Sequence, residues 1–145
     1  MKRKTFKQCI EENQLAETDI DKIAAKELLH LSEHREQFWQ EVNKSDTYPT
    51  LYIEGYYEII KELCTAVLAL NGWKATNHEC LFAYMIEHRQ DLELDYDFLL
   101  ELKDTRNSID YRGVRLSPEV WEQNKLKIQI AIDTLKGYVK KQVAT

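Results

Sequence analysis

One segment constrains most of what this chain can become. From Pro49 to Leu70, apolar residues fall at Tyr52, Tyr56, Ile59, Leu63, Val67 and Leu70, spaced four, three, four, four and three. That rhythm is one face of an α-helix. A second apolar row, Ile53, Tyr57, Ile60, Cys64 and Leu68, runs beside the first. A helix apolar over so wide a surface must be covered from several sides, so it is expected at the centre of a bundle. Gly55 lies within it and fits a close crossing by a neighbouring helix.

Rare backbone breakers mark the remaining joints, since the 145 residues include only 4 Gly and 2 Pro. Asp46-Thr47-Tyr48-Pro49 reads as a break and restart, because Pro is tolerated in a first helical turn. Asn71-Gly72 is a stop, where Gly takes the left-handed conformation at little cost. Thr18 is the expected N-cap of an earlier helix running to about Asn43, with Asp19 and Asp21 favouring its positive end. Its inward face is expected to carry Ile20, Ala24, Leu31, Phe38 and Val42, with Glu27 and His34 interrupting the stripe. Residues 3–15 read as a short separate helix. Asn77 caps a helix to about Arg89 that buries His78, Leu81, Phe82, Met85 and Ile86. Asp95 caps the next, which ends at Asp110 or Tyr111 before Gly113. Ser117-Pro118-Glu119 starts the last, which runs to about Val139. No strand is expected. The reading is a single all-α domain over residues 1–145, an up-and-down antiparallel bundle of four to five helices.

Composition then excludes classes of function. The net charge of −5 and pI near 5.4 rule out a strongly basic nucleic-acid coat, though not a local basic patch. No run nears the roughly 18 apolar residues of a membrane span, and basic Met1-Lys2-Arg3-Lys4 has no apolar stretch behind it, so no secretory signal is expected. These features point to the cytoplasm. Cys9, Cys64 and Cys80 are odd in number and never form a CxxC pair, so neither a disulfide framework nor a zinc site is suggested. All three are expected as buried thiols. No cofactor motif is present.

The segment Leu102 to Gly113 carries the chemistry. At 100° per residue, Phe98, Leu99, Leu102 and Ile109 form a stripe with Arg106 inside it. A guanidinium cannot shed its charge, so it must meet a carboxylate, a second subunit or an anionic ligand. Asp110, four residues on, can pair with it within the helix. Tyr111 lies about 140° from Arg106, so the two converge only if the helix loosens. From Lys103 to Arg115 four basic residues stand against two acidic ones, a local reversal of the chain's charge that suits phosphate. Arg106, Arg112 and Arg115 are its candidate phosphate ligands.

Arg106-Asn107-Ser108-Ile109-Asp110-Tyr111, late in a helix closed by Gly113 and followed by a long final helix, resembles the HEPN superfamily. The helix bearing Tyr52, Tyr56 and Tyr57, and the step from Gly72 to His78, are similar as well. The resemblance covers roughly residues 18–140 and rests on one short motif. It implies a dimeric helical bundle that binds RNA or nucleotide phosphate between its subunits, with Arg106 and Asn107 at the cleft. It further implies a metal-independent endoribonuclease toxin, paired with a minimal nucleotidyltransferase antitoxin. In that family's motif Arg106 matches the arginine and Asn107 the polar residue after it. The window for the motif's histidine falls on Tyr111, Arg112 and Gly113, and none is histidine. A tyrosine with a pKa near 10 is a poor base at neutral pH, though its hydroxyl can orient a phosphate. Arg106, Asn107 and Tyr111 are therefore the catalytic candidates of one reading. The other is a non-catalytic interaction module that dimerises or binds a protein, with Arg106 structural.

Other candidates are weaker. His30 and His34 have i,i+4 spacing, but the run His-Leu-Ser-Glu-His lacks the HExxH pattern and reads as a solvated pair. His78 reads as a core histidine, or, in the dimer, as a substitute base facing the Arg106 cleft. His88 is expected at the surface. Trp39, Trp73 and Trp121 lack the basic neighbours of a stacking platform and read as packing residues. Asp91, Glu93, Asp95 and Asp97 lack a calcium-loop pattern and read as a solvated loop and cap.

Overall fold

The computed structural model describes residues 3–42 and 48–144, apart from the side chain of Asp110. In chain order the elements are α1 (Phe6–Glu11), β1 (Leu15–Glu17), α2 (Lys22–Val42), α3 (Pro49–Leu70), β2 (Trp73–Ala75), α4 (His78–His88), α5 (Tyr96–Arg112) and α6 (Pro118–Val143), with a 3₁₀ turn at Gln90–Leu92. The fold is an all-α helical bundle with a two-stranded ribbon at one end.

The two apolar rows place α3 at the centre, and α2, α4, α5, α6 and β2 all pack on it. Tyr52, Ile53, Tyr57, Ile59, Ile60, Leu63, Cys64 and Val67 are buried, and burial pushes the Cys64 thiol up to about 12. Each fully buried large side chain contributes about 1.5–3 kcal/mol. Gly55 permits the crossing with α2: a Cβ there would fall inside the Trp39 indole. Trp39 packs edge-on to Tyr52, and Trp121 of α6 stacks on Tyr56 at 5.2 Å. The Asn77 and Asp95 caps form as expected, their side chains accepting from the Cys80 and Phe98 amides. Ser117 precedes α6, but its side chain makes no capping hydrogen bond, and α6 continues to Val143 rather than stopping near Val139. Asn43, Asp46 and Thr47 lie outside the described residues.

Four sequence expectations are corrected. First, α2 turns the other way. Ile20, Leu31, Phe38 and Val42 are exposed, as is Ile23, whereas Ala25, Leu29, Ser32 and Glu36 are buried. The buried stripe lies roughly 140° around the helix from the exposed one. Its polar members are satisfied: Ser32 Oγ donates to the Leu29 carbonyl, and the Glu36 carboxylate accepts from Gln129 and Lys136 of α6. Second, Thr18 does not cap α2. Its amide donates to the Gly72 carbonyl, and Asp21 accepts from the Ala24 amide instead.

Third, two short strands form, with Leu15, Ala16 and Glu17 pairing antiparallel with Ala75, Lys74 and Trp73. Three residues are too few for an alternation signal, and the pairing exists because the chain entering α2 passes the turn leaving α3. Fourth, Cys9 and Cys80 are not free thiols: they form a disulfide joining α1 to α4, with Cα atoms 5.7 Å apart. They stand 71 residues apart, and only the docking of α1 on α4 brings them together.

Two outcomes follow. Gly55→Ala should lower unfolding stability by about 1–3 kcal/mol through overpacking against Trp39, read as a lower urea midpoint; an unchanged midpoint would mean that the crossing is not tight. Reduction of the Cys9–Cys80 bridge should lower stability by about 2–4 kcal/mol. Urea titrations with and without reductant, alongside Cys9→Ser, measure this, and coincident curves would refute it.

Candidate functional site

Two helices from distant parts of the sequence bring the chemistry together. Asn77 starts α4, so His78 stands at its first residue, beside the middle of α3. The Tyr57 hydroxyl and His78 Nδ1 are 3.0 Å apart. Burial pushes the Tyr57 phenol well above its ordinary range, so it stays protonated. On α5, Arg106 donates to Glu58 Oε1 at 3.3 Å and lies over the Tyr57 ring, 5.8 Å from its centroid. Tyr57 thus touches both functional groups, one with its hydroxyl and the other with its face. Glu58 also pairs with Lys61 at 2.9 Å. Burial alone would raise the Glu58 carboxyl; the hydrogen bond and charge of Lys61, together with Arg106, hold it below the usual range. Arg106 therefore has an ionised acceptor.

His78, Arg106, Asn107 and Tyr111 line one open groove of about 460 Å³, which Lys4 and Lys103 also reach. That volume is within the usual range for ligand sites. The helix does not loosen to achieve this. α5 remains helical to Arg112, and Gly113 closes it with φ 64°. Lys103, Asn107 and Tyr111 form a row at i, i+4 and i+8 with Arg106 beside it, and the groove is wide enough to take in both. A second cavity of about 840 Å³ adjoins it along the same row, lined by Arg3, Asp104, Ser108 and Arg112 as well as Glu79, Lys103, Asn107 and Tyr111. Arg112 is thus one cavity away from Arg106. Arg115 is exposed in the loop before α6 and lines neither cavity.

Lys103 was not legible as a site residue. Its side chain is only 8% exposed, yet the ammonium lies 3.9 Å from both Glu79 and Asp104, beyond hydrogen-bonding distance. A helical lysine reads as solvated, and only the packing of α4 against α5 encloses it. Tyr57 was equally hidden, because in sequence it belongs to a core row.

The pairing of Arg106 with Asp110 falls on a side chain outside those described. Glu58, 48 positions upstream of Arg106, supplies a carboxylate that local spacing did not reveal. His30 and His34 are exposed, and no group of three or more metal-ligating side chains occurs among the described residues. His88 is exposed and packs on Phe6, Trp73 and Tyr84. Trp73 joins that aromatic cluster rather than the groove. Among the described residues no helix is long and apolar enough to cross a membrane. No protein-family model, curated protein or solved structure matches the chain.

The electrostatics of His78 are testable. Burial and then the cations Lys61 and Arg106 push its pKa below 6.5, opposed by Glu58. The folded state consequently binds fewer protons than the unfolded chain just below pH 6.5, and stability falls as pH drops through that window. His78→Asn should flatten this part of a pH series of urea midpoints. Identical slopes for the variant and the parent would refute the assignment.

Proposed function

We propose that this chain is a HEPN-like domain that binds RNA or nucleotide phosphate in the groove between α4 and α5. One observation carries the reading: Arg106 and His78, from different helices, line the same open groove beside the enclosed cation Lys103. Arg106 and Lys103 supply positive charge for nonbridging phosphate oxygens, and Asn107 supplies hydrogen bonds. In this reading the domain acts as a homodimer and as a metal-independent endoribonuclease toxin, with a minimal nucleotidyltransferase as its antitoxin.

His78 then takes the role that Tyr111 cannot. In the tautomer whose Nδ1–H donates to the Tyr57 oxygen, Nε2 carries the lone pair and accepts the proton of an RNA 2′-hydroxyl. The 2′-oxygen bonds to phosphorus as the bond to the 5′-oxygen breaks, and the leaving oxygen takes a proton from water. The products are a 2′,3′-cyclic phosphate and a 5′-hydroxyl end. Neutral imidazole is the required form, and its lowered pKa keeps it neutral at pH 7. The reading takes the chain to be cytoplasmic, a compartment where a bridge such as Cys9–Cys80 is uncommon outside hyperthermophiles.

A second reading has its own observation. Ile23, Leu31, Phe38 and Val42 form an exposed apolar stripe on α2, the kind of surface that dimerises or docks a partner protein. It fits a non-catalytic interaction module equally well.

Incubation of single-stranded RNA with wild type, Arg106→Ala and His78→Asn separates the two. The first reading expects wild-type binding and cleavage, at least tenfold weaker binding by Arg106→Ala, and His78→Asn that binds but cleaves at least 100-fold more slowly. RNA binding without cleavage by any of the three removes the enzyme. No binding at all leaves the interaction module.

A further inference from the structure

Five cationic side chains line the two adjoining cavities along α5: Arg3, Lys4, Lys103, Arg106 and Arg112. Against them, among the described side chains, stand the carboxylates of Glu79 and Asp104. In a chain of net charge −5 this is a local excess of positive charge. Lys4 is already engaged by Gln14 and Glu12, and Arg3 approaches Asp104 only to 3.7 Å. Lys103 stands at the division, lining both cavities, with its ammonium outside hydrogen-bonding distance of either nearby carboxylate. Its ion pairs with Glu79 and Asp104 are therefore long, and an anion entering from either cavity would supply a hydrogen-bonded partner.

Tyr111 marks the same division. It lines both cavities, yet 82% of its surface is exposed, so its ring is held out into solvent next to Arg112. A large aromatic left bare among cations is the arrangement on which bases of a single strand stack. The row from Lys103 to Tyr111 extends about 12 Å along the helix, at 1.5 Å per residue. That is longer than one phosphate group covers.

We infer that the two cavities form one track for single-stranded RNA, with Lys103 between successive phosphates and the Tyr111 ring as a base-stacking platform. This rests on the phosphate-binding reading above and extends its site from the groove at Arg106 along the second cavity to Tyr111 and Arg112. Tyr111 acts here through its ring and not its hydroxyl. A duplex, whose bases face inward, has none to offer the ring.

Competition binding against a fluorescent RNA tetramer tests the track, using UMP, oligouridylates of two and four nucleotides, and a short RNA duplex. Affinity should rise at least tenfold from UMP to the tetramer. Tyr111→Ala should weaken tetramer binding roughly 5- to 150-fold, the range for losing one stacked base, while Tyr111→Phe keeps it. Lys103→Met should weaken binding of UMP and tetramer alike. Equal affinity for UMP and tetramer, or unchanged tetramer binding by Tyr111→Ala, overturns the track but spares phosphate binding. Tyr111→Phe as weak as Tyr111→Ala overturns stacking, and duplex binding as tight as tetramer binding overturns the single-strand assignment. Failure of every probe to bind removes the track and the phosphate reading together. Tyr111 is so exposed that neither of its variants threatens folding.

Discussion

Tyr52, Ile53, Tyr57, Ile59, Ile60 and Leu63 of α3 are each 0–1% exposed, and this total burial is the constraint on which the other elements depend. A helix buried over most of its surface has to be wrapped, and α2, α4, α5 and α6 do the wrapping. The close approach of Trp39 to Gly55 brings α2 down onto α3. α4 and α5 both pack on α3, and the groove is lined by the start of α4 and by α5 from Lys103 to Tyr111. Tyr57 shows how core and site share parts: its ring is packed inside, while its hydroxyl meets His78 and its face carries Arg106.

The same geometry gives an acidic protein a local surplus of positive charge. Glu58 is neutralised from two sides by Lys61 and Arg106, which removes its repulsion from the groove. Lys103 is enclosed by packing with carboxylates close but not in contact. Many of the remaining acids are on exposed positions elsewhere, including α2 and the segment from Asp91 to Asp97. Net charge therefore says little about the field at any one surface, because burial decides which charges are screened and which are not.

The helical joints were readable because each has a local chemical cause. Pro49 and Pro118 open helices, Asn77 and Asp95 cap them with their own side chains, and Gly113 closes one in a left-handed conformation. The centrality of α3 was readable from its two apolar rows. The face of α2 was misread, because Ala25, Ser32 and Glu36 look like surface residues, while Ile23, Leu31 and Phe38 look like core. Small side chains allow close approach and satisfied polar ones tolerate burial, so the apolar stripe was left for solvent or a partner. The ribbon and the Cys9–Cys80 bridge were invisible for another reason: both join residues about sixty to seventy positions apart.

Within the site, the sequence by itself determined Arg106 and its need for an anionic partner, since a guanidinium on an apolar stripe cannot be neutral or alone. It also singled out Asn107 and Tyr111, which share the groove with Arg106. Tertiary structure decided the rest. It brought Glu58 and Tyr57 from α3 to Arg106, set His78 of α4 on the same groove, and enclosed Lys103 between two cavities. Periodicity reports which way a side chain leaves its own helix. Which groups then face each other across a gap depends on how the helices cross, and that is fixed by packing over the whole core.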